Sequence, residues 1–512
     1  PTPEPEVSAE GHYHREMPLR RALLWGTLLA CGGRGTDASE SARASQPVGL
    51  GRARVAIVGG GIGGASVASF LLSEFADIGA VPPEIVVYEQ SDRIGGRTLA
   101  AQFPDGTIAS TPRLRTALQS SSGSAQGTVV ELGASMAIEQ NRYVREMAER
   151  LGLHRRHATD RPGRGSGKLA ILSGGRFAFV ESDYKLVTVV SMLARYGLVN
   201  FYKLRSHGER LISAFDRIYG AQDQRRAFRE PRSLLGMAGM DGLSERSCEG
   251  FMAQLFGDAE ALISRELLGG LMMNNYGQDW RGANALVCAT AVAPLAAGGS
   301  ASAWSVVEGN DQLATKAFQE AGAEVQLGRR VLRISRHIGE DDSKSSNIGG
   351  YVVQHSDATC ESLSTGSCET QEQSFDFVFI TAPRKGDAVV DLAPDSSGSG
   401  TGREKGAALN TEEYQYQHVH STLVWGRLNP KYFNLDEMDE HHLNSLTDIL
   451  VDGPTGGVPF SSIGHYGGPR ASDPSRENGN VSLWKFFSSA PLVRSVCCFV
   501  RLTCAVISCS IV

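Results

Sequence analysis

The sequence predicts an α/β protein: a Rossmann-like, doubly wound dinucleotide-binding domain with a second, α+β domain for the substrate. Three observations carry this prediction. A strand, a glycine turn, a helix and a second strand follow one another between Arg54 and Glu89. At 512 residues the chain exceeds what one hydrophobic core supports, so it divides into domains. Helical text dominates the stretch beyond residue 140, and further strands follow it, as in a mixed second unit.

The first element, Arg54–Val58 (RVAIV), is a short β-branched run that stops at glycines, hence a buried strand. Gly59-x-Gly61-x-x-Gly64 follows directly and opens a helix from Ile62 to about Phe75. Gly59 permits the tight turn, Gly61 lets backbone approach a pyrophosphate, and Gly64 lets helix pack on strand. Ile62 and Gly63 form the helix start, whose free N–H groups and positive dipole end suit phosphate. Glu84–Glu89 (EIVVYE) reads as the second strand. Its last residue, Glu89, is placed to accept hydrogen bonds from ribose hydroxyls.

Farther along, Ser110–Thr128 is rich in Ser, Thr, Gly and Gln and reads as a surface insertion. Asn141–Leu151 and Ser182–Ile212 read as helical, the latter with an apolar stripe of Val187, Val190, Leu193 and Leu198. Ala259–Met273 continues the helical region, and Val306–Ala321 leads as a helix into the β-type run Glu324–Leu332. Tyr351–Val353 and Phe375–Ala382 are strands separated by a polar loop, Gln354–Ser374; Gly386–Glu413 is loop-rich. His420–Leu428 and Val481–Phe487 are further strands.

Composition narrows the function. Hydrophobic residues make up 41% and charged residues 21%, as in ordinary globular proteins. The net charge is −6 and Lys and Arg are scattered, which argues against nucleic acid as a partner. Nine cysteines occur with no CxxC and no metal-ligand spacing, so no metal is expected. Cys360 and Cys368 flank a Ser/Thr-rich loop and would either pair in an oxidising compartment or stay free thiols.

From Met17 the text MPLRRALLWGTLLACGG has signal-peptide grammar: Arg20 and Arg21, then an apolar Ala22–Ala30 core too short to span a bilayer. It predicts the secretory pathway, with the lysosome or vacuole or the extracellular space as destination. Asn480-Val481-Ser482 is a glycosylation acceptor pattern. At the other end, Arg494–Val512 holds four of the nine cysteines and is interrupted by Arg501. It is too short for a membrane anchor and reads as an alternative chain end rather than a designed element.

NAD and FAD share the glycine fingerprint, and the residues after Glu89 separate them. Asp92-Arg93-Ile94-Gly95-Gly96-Arg97-Thr98 lets the chain double back close to the cofactor, with Arg97 available to a phosphate. This continuation resembles the two-dinucleotide-binding-domain flavoproteins of the amine oxidase superfamily. Glu131-Leu132-Gly133-Ala134-Ser135 fits the superfamily segment that passes near the flavin. The resemblance implies FAD, held by Gly59, Gly61, Ile62, Gly63, Gly64, Glu89, Gly96, Arg97, Glu131 and Gly133. No second glycine fingerprint for NAD(P)H occurs, and Gly163–Lys168 lacks the first glycine of a phosphate loop, so molecular oxygen is the expected electron acceptor.

Beyond the cofactor unit the chain resembles the prenylcysteine oxidase family. The strings are Asn275-Tyr276-Gly277-Gln278, Trp304–Asn310 (WSVVEGN), Phe375–Pro383, Tyr416–Val424, and Ser462–Gly464 followed by Leu483–Phe487 (LWKFF). Their order fits from about residue 54 to 488. The resemblance implies a thioether oxidase acting on prenylated cysteine. The isoprenoid carbon beside sulfur gives hydride to the flavin, and water adds to the resulting cation. The hemithioacetal collapses to cysteine and a prenyl aldehyde, while oxygen leaves as hydrogen peroxide.

It also makes Ser182–Ile212 either an apolar wall for the prenyl chain or an ordinary buried helix face, and association with a membrane surface is a further expectation. The family's C-terminal flavin-contacting segment has no counterpart in the text after Phe487. No catalytic group stands out, and His418 and His420 read as strand histidines. The alternatives are another flavin oxidase of the amine oxidase superfamily, or a non-catalytic binder of prenyl lipid. The expected organisation is a leader over 1–50, an FAD-binding domain over 51–140 and 301–385, a substrate domain over 141–300 and 386–490, and a Cys-rich tail over 491–512.

Overall fold

The computed structural model describes residues 52–103, 113–114, 128–158, 168–296, 302–336, 350–359, 369–383, 391–392, 416–435, 440–453, 457–466, 482–492, 498 and 500–511. The leader, the Asn480 acceptor, the Cys360–Cys368 loop and most of Ser110–Thr128 and Gly386–Glu413 lie outside these residues.

The N-terminal unit runs β1 (Arg54–Val58), α1 (Ile62–Asp77), β2 (Glu84–Glu89). A small antiparallel sheet follows, β3 (Ala100–Phe103), β4 (Arg113–Leu114) and β5 (Thr128–Glu131). Next come β6 (Ala137–Ile138), α2 (Arg142–Arg150) and β7 (Arg155–His157). β8 (Lys168–Ser173) and β9 (Arg176–Val180) lead into a helical layer. Its members are α3 (Lys185–Tyr196), α4 (Leu198–Asp223), α5 (Pro231–Ala238), α6 (Asp241–Ser244), α7 (Cys248–Phe256), a π-helical segment Ile263–Leu268, α8 (Gly269–Tyr276) and α9 (Ala285–Ala296).

The chain then returns to the first unit through β10 (Ala303–Val306), α10 (Asp311–Glu320) and β11 (Glu324–Leu327). β12 (Arg329–Arg336), β13 (Tyr351–Asp357), β14 (Thr370–Phe375), β15 (Phe377–Ile380) and β16 (Asp391–Leu392) follow. The last elements are β17 (Val419–Leu428), α11 (Glu440–Ser445), β18 (Leu446–Val451), β19 (Ser462–His465), β20 (Ser482–Ser488) and β21 (Val500–Ile511).

The Rossmann sheet is parallel throughout, in the order β11-β2-β1-β15. It is covered on both faces, which is why β1 and β2 are near-continuous apolar runs. Alternate residues serve opposite sides. Val55, Ile57, Ile85 and Val87 pack with Ala65 and Ala68 of α1 and Leu313 and Phe318 of α10. Ala56, Val58, Val86 and Tyr88 meet Val331, Ile334, Val353 and Phe375 of the sheet β14-β13-β12-β16. The span 354–374 is therefore not a plain polar loop. Gln354–Ser356 pair antiparallel with Thr370–Glu372, continuing the pairing of Val352 and Val353 with Ser374 and Gln373, and the polar residues hide this from a hydrophobicity pattern.

The second large sheet has the order β21-β17-β20-β19-β18-β8-β9. The helical layer packs on it closely: a methyl at Gly269 would fall 2.4 Å from the Asp452 carbonyl oxygen, and one at Gly270 would fall 2.9 Å from Leu450 Cβ. Gly208 of α4 lets that helix meet Ala296 of α9. A disulfide, Cys248–Cys288, joins α7 to α9.

Two expectations change here. Val500–Ile511 is an edge strand, paired antiparallel with β17 from Val500↔Leu428 to Ile511↔Val419 with register shifts around Trp425. Its Val, Ile and Thr content suits a strand, whatever its cysteines. In the Val187, Val190, Leu193, Leu198 stripe, Leu193 is half-buried and the other three are exposed, so it is not an ordinary buried helix face. α4 turns inward only from Leu204, with Leu211 and Ala214.

Candidate functional site

The turn after β1 is built by two different demands on glycine. Gly59 has φ +115° and donates its N–H to the Tyr88 carbonyl at 2.8 Å. A Cβ there would press on Thr381 Oγ1 at 2.9 Å and on the Ala382 nitrogen at 3.0 Å. At Gly64 a Cβ would stand 2.1 Å from the Gly59 carbonyl oxygen, so α1 can leave the strand only from a glycine. Gly61 differs. Its φ is −84°, and a Cβ would find nothing nearer than Gly95 O and Gly96 Cα, both at 3.8 Å. The protein's own packing does not require a glycine there. Close approach of another group does, and this is the place a pyrophosphate takes in the fingerprint.

α1 begins beside this opening with no side-chain cap and no acidic residue in its first turn. Its first N–H groups, those of Ile62 and Gly63 among them, are available to an anion. The loop 93–98 closes over the turn. Gly95 donates to the Gly60 carbonyl at 3.0 Å and bridges to Gly61, with φ of +112° at Gly95 and +57° at Gly96. Arg93 Nη2 donates to the Gly96 carbonyl at 2.8 Å, while its buried Nη1 has no hydrogen-bond partner among the described residues. Arg97 is exposed and forms no ion pair with them. The half-satisfied Arg93 guanidinium in this loop, together with the uncapped helix start, offers donors for an anion.

Glu89 holds this turn together. Its Oε2 accepts the Gly60 N–H at 2.7 Å, and its Oε1 accepts the Ser91 N–H at 2.8 Å and Oγ–H at 2.7 Å. A carboxylate offers about four acceptor sites, so lone pairs remain for a ribose hydroxyl.

Glu131 and Gly133 meet the same loop from the other side. Gly133 sits so close that a Cβ would be 2.0 Å from the Arg97 carbonyl oxygen, which also accepts the Ala134 N–H at 3.0 Å. The Glu131 carboxylate is buried, and its Oε1 accepts the Asn310 N–H at 2.7 Å. Asn310 in turn donates Nδ2–H to the Ala134 carbonyl at 2.8 Å and accepts the Val306 N–H at 2.9 Å. Glu131 is thereby a positioning residue: it ties the 131–135 segment to the start of α10, where Asp311 lies buried against Gly95.

Sequence reasoning missed Lys485. It lies on β20 in the LWKFF run and is almost fully buried. Its Nζ donates to the Glu131 carbonyl at 3.0 Å and to Ser135 Oγ at 2.8 Å, between the rings of Tyr466 and Phe487. An ammonium in a strand of aromatic residues was the available signal, because such a charge is buried only when satisfied. It pins the second sheet to the 131–135 segment. The structure thus draws all ten expected residues into one cluster around the turn and adds Arg93, Asn310 and Lys485. His418 stays exposed and His420 half-buried at β17. Among the described residues no cluster of His, Cys, Asp or Glu could hold a metal ion.

The remaining family-like strings have structural explanations. Gly277 ends α8 with φ +63° and its carbonyl accepts from Gln417 Nε2 at 3.1 Å. Gly309 and Asn310 make the turn that leads from β10 to α10.

Comparison with known proteins covers nearly the whole chain. Residues 179–498 match the family model described as prenylcysteine lyase, and residues 57–151 match that of an NAD(P)-binding Rossmann-like domain. The farnesylcysteine lyase of Arabidopsis thaliana is 25% identical over 456 residues, 87% of this chain and 75% of that protein. Prenylcysteine oxidase 1 of Homo sapiens is 26% identical over 483 residues, 92% of this chain and 80% of that protein. Among solved structures, a cyclohexylamine oxidase from Brevibacterium oxydans superposes with a TM-score of 0.47 at 14% identity, covering 90% of this chain and 85% of its own.

Proposed function

This chain belongs to the prenylcysteine lyase family, and we propose that it is an FAD-dependent oxidase that cleaves the thioether of a prenylated cysteine. The overall change consumes prenylcysteine, water and molecular oxygen and releases cysteine, a prenyl aldehyde and hydrogen peroxide. FAD, when bound, supplies the two-electron acceptor for the carbon beside sulfur and passes those electrons to oxygen.

The observation that carries the reading is the open place at Gly61, beside the uncapped start of α1 and the Arg93–Arg97 pair. The chain's own residues then have defined tasks. The N–H groups of α1 and the Arg93 guanidinium, with Arg97 available beside them, would hold the pyrophosphate, and Glu89 would receive the adenosine ribose. Glu131, Asn310 and Lys485 hold the 131–135 segment, which would line the flavin when it is bound.

The secretory pathway, with the lysosome, vacuole or extracellular space as end point, is the compartment we propose. The buried Cys248–Cys288 disulfide supports it, because such bonds persist in oxidising surroundings, as does the Met17–Gly33 leader pattern.

The test is direct. The purified full chain should carry flavin absorbance, and farnesylcysteine should elicit peroxide and farnesal in equal amounts. Flavin binding without peroxide would favour a non-catalytic prenyl-lipid binder. Peroxide from an amine but not from farnesylcysteine would favour another flavin oxidase. Neither flavin nor turnover would refute the proposal.

A further inference from the structure

Contacts of two opposite kinds fasten the second domain to the first. At one place Leu99, Phe103 and Val130, on and beside the small antiparallel sheet, share a buried apolar cluster with Leu423, Trp425 and Leu483 of β17 and β20. High salt does not loosen such a contact. At the other place the C-terminal end of α4 meets α1 and α2, and there the contact is polar. α2 itself packs on the Rossmann core through Met147 and Ala148. Among the described residues, no buried apolar cluster unites the helices α3 to α9 with that core.

The polar contact is a network of ion pairs and rings. Arg142 of α2, braced by Glu146 on its own helix at 2.9 Å, grips Asp223 of α4 through two hydrogen bonds of 2.7 and 2.6 Å. Just past α4, Arg225 donates to Asp77 Oδ2 of α1 at 3.0 Å and lies 3.6 Å from Glu74 Oε2. Beside them Phe70, Tyr143 and Tyr219 form an edge-to-face chain with centroids 5.2 and 5.1 Å apart, and the Tyr143 hydroxyl donates to Gln222. The carboxylates of Asp77 and Asp223 are 47% and 53% exposed, so water and salt compete for both pairs.

Arg225 shows that this contact is built. It follows α4 at φ +57°, a left-handed position that ends a helix and favours glycine. Its N–H donates to the Gln222 carbonyl at 2.8 Å, and that of Arg226 to the Ala221 carbonyl at 3.0 Å, the paired bonds of a Schellman turn. Glycine would close that turn without strain. An arginine there costs backbone energy, and what its side chain contributes is the bond to α1.

We propose that the Arg142–Asp223 and Arg225–Asp77 pairs form an ionic latch between the helical layer and the Rossmann domain, closed in this structure, whose release lets the second domain rock on the apolar junction. Small polar contacts between domains permit such movement, whereas large apolar ones resist it. None of the latch residues belongs to the cluster around the glycine turn, so the latch is expected whether or not the chain turns over prenylcysteine.

The experiment is hydroxyl-radical footprinting of the purified full chain, read by mass spectrometry at Tyr143 and Tyr219, with the exposed Tyr184 and Tyr202 as internal standards. High salt should raise labelling of Tyr143 and Tyr219 about twofold while the standards stay constant. Arg142→Gln with Arg225→Gln should give the raised labelling already at low salt and abolish the salt response. Arg225→Gly removes the guanidinium yet relaxes the backbone, so it should loosen the latch without lowering the melting temperature. Charge reversal, Asp77→Arg with Arg225→Asp, should restore the protection that Arg225→Asp alone destroys, which a folding defect would not do. Labelling that ignores both salt and the double glutamine variant overturns the proposal, and so does a reversed pair that stays open.

Discussion

The glycine turn of the first domain and the α3–α4 junction of the second both present an open place to the outside, and they do so by opposite means. At the turn, backbone packs on backbone so tightly that Gly59, Gly64 and Gly133 have no alternative, and one position, Gly61, is left clear. At the junction large apolar side chains point outward from helices held from behind by the Arg195–Glu266 ion pair, the buried Tyr196 and the packing of Leu204 and Gly208. The first region excludes side chains, and the second displays them. Substitutions should therefore fail differently in the two places.

The largest effect belongs to the crowded glycines. Gly64→Ala should cost about 4 kcal/mol or more, because its methyl cannot coexist with the Gly59 carbonyl; soluble yield and melting temperature check this. A Gly64→Ala protein that melts like wild type would break the distinction drawn here. Reducing the Cys248–Cys288 bond, or Cys288→Ser, removes a crosslink spanning 40 residues and should cost about 4 kcal/mol in chemical denaturation. That loss should leave the flavin spectrum of the folded fraction unchanged, since the bond staples the helical layer only.

Gly61→Ala sharpens the contrast. The nearest atoms lie 3.8 Å from its added methyl, so the melting temperature without cofactor should stay close to wild type while FAD affinity falls about tenfold. Lys485→Met removes two hydrogen bonds from a charged group to the 131–135 segment and should destabilise by about 2 kcal/mol. A shifted flavin absorption maximum would show that the segment has moved.

The smallest effect concerns His355, fully buried on Tyr88 between the two sheets of the first domain, with neither ring nitrogen hydrogen-bonded among the described residues. Burial, and then the Arg329 charge, hold its pKa below the ordinary histidine value. The unfolded chain therefore binds the proton first, and stability falls as pH drops below the unfolded value near 6.5. His355→Phe should flatten the fall in melting temperature on acidification, by at most about 1.4 kcal/mol per pH unit.

Much of the first domain was legible because its rules are local. The β1–turn–α1–β2 order and the places of Gly59, Gly61, Gly64 and Glu89 follow from spacing, since a glycine that must avoid a backbone oxygen a few residues away announces itself in the chain, whereas Gly96, Arg97, Glu131 and Gly133 were reached through the family resemblance. The role of Lys485 was not legible: its place among aromatic residues hints at burial, but its partners Glu131 and Ser135 lie some 350 residues away. Nor was the edge strand Val500–Ile511, whose pairing with β17 depends on a partner outside its own text.

By itself, then, the sequence determined the dinucleotide-binding turn, the glycines that make it, the strands that carry it and the family-like strings beyond. Only the tertiary structure decided which face of α3 and α4 meets water, which carboxylate is tied up by Asn310, and where the last strand pairs. The physical reason is that period and glycine spacing report steric constraints within a few residues. Burial and hydrogen-bond partnership are settled by contacts between segments that the chain brings together only when folded.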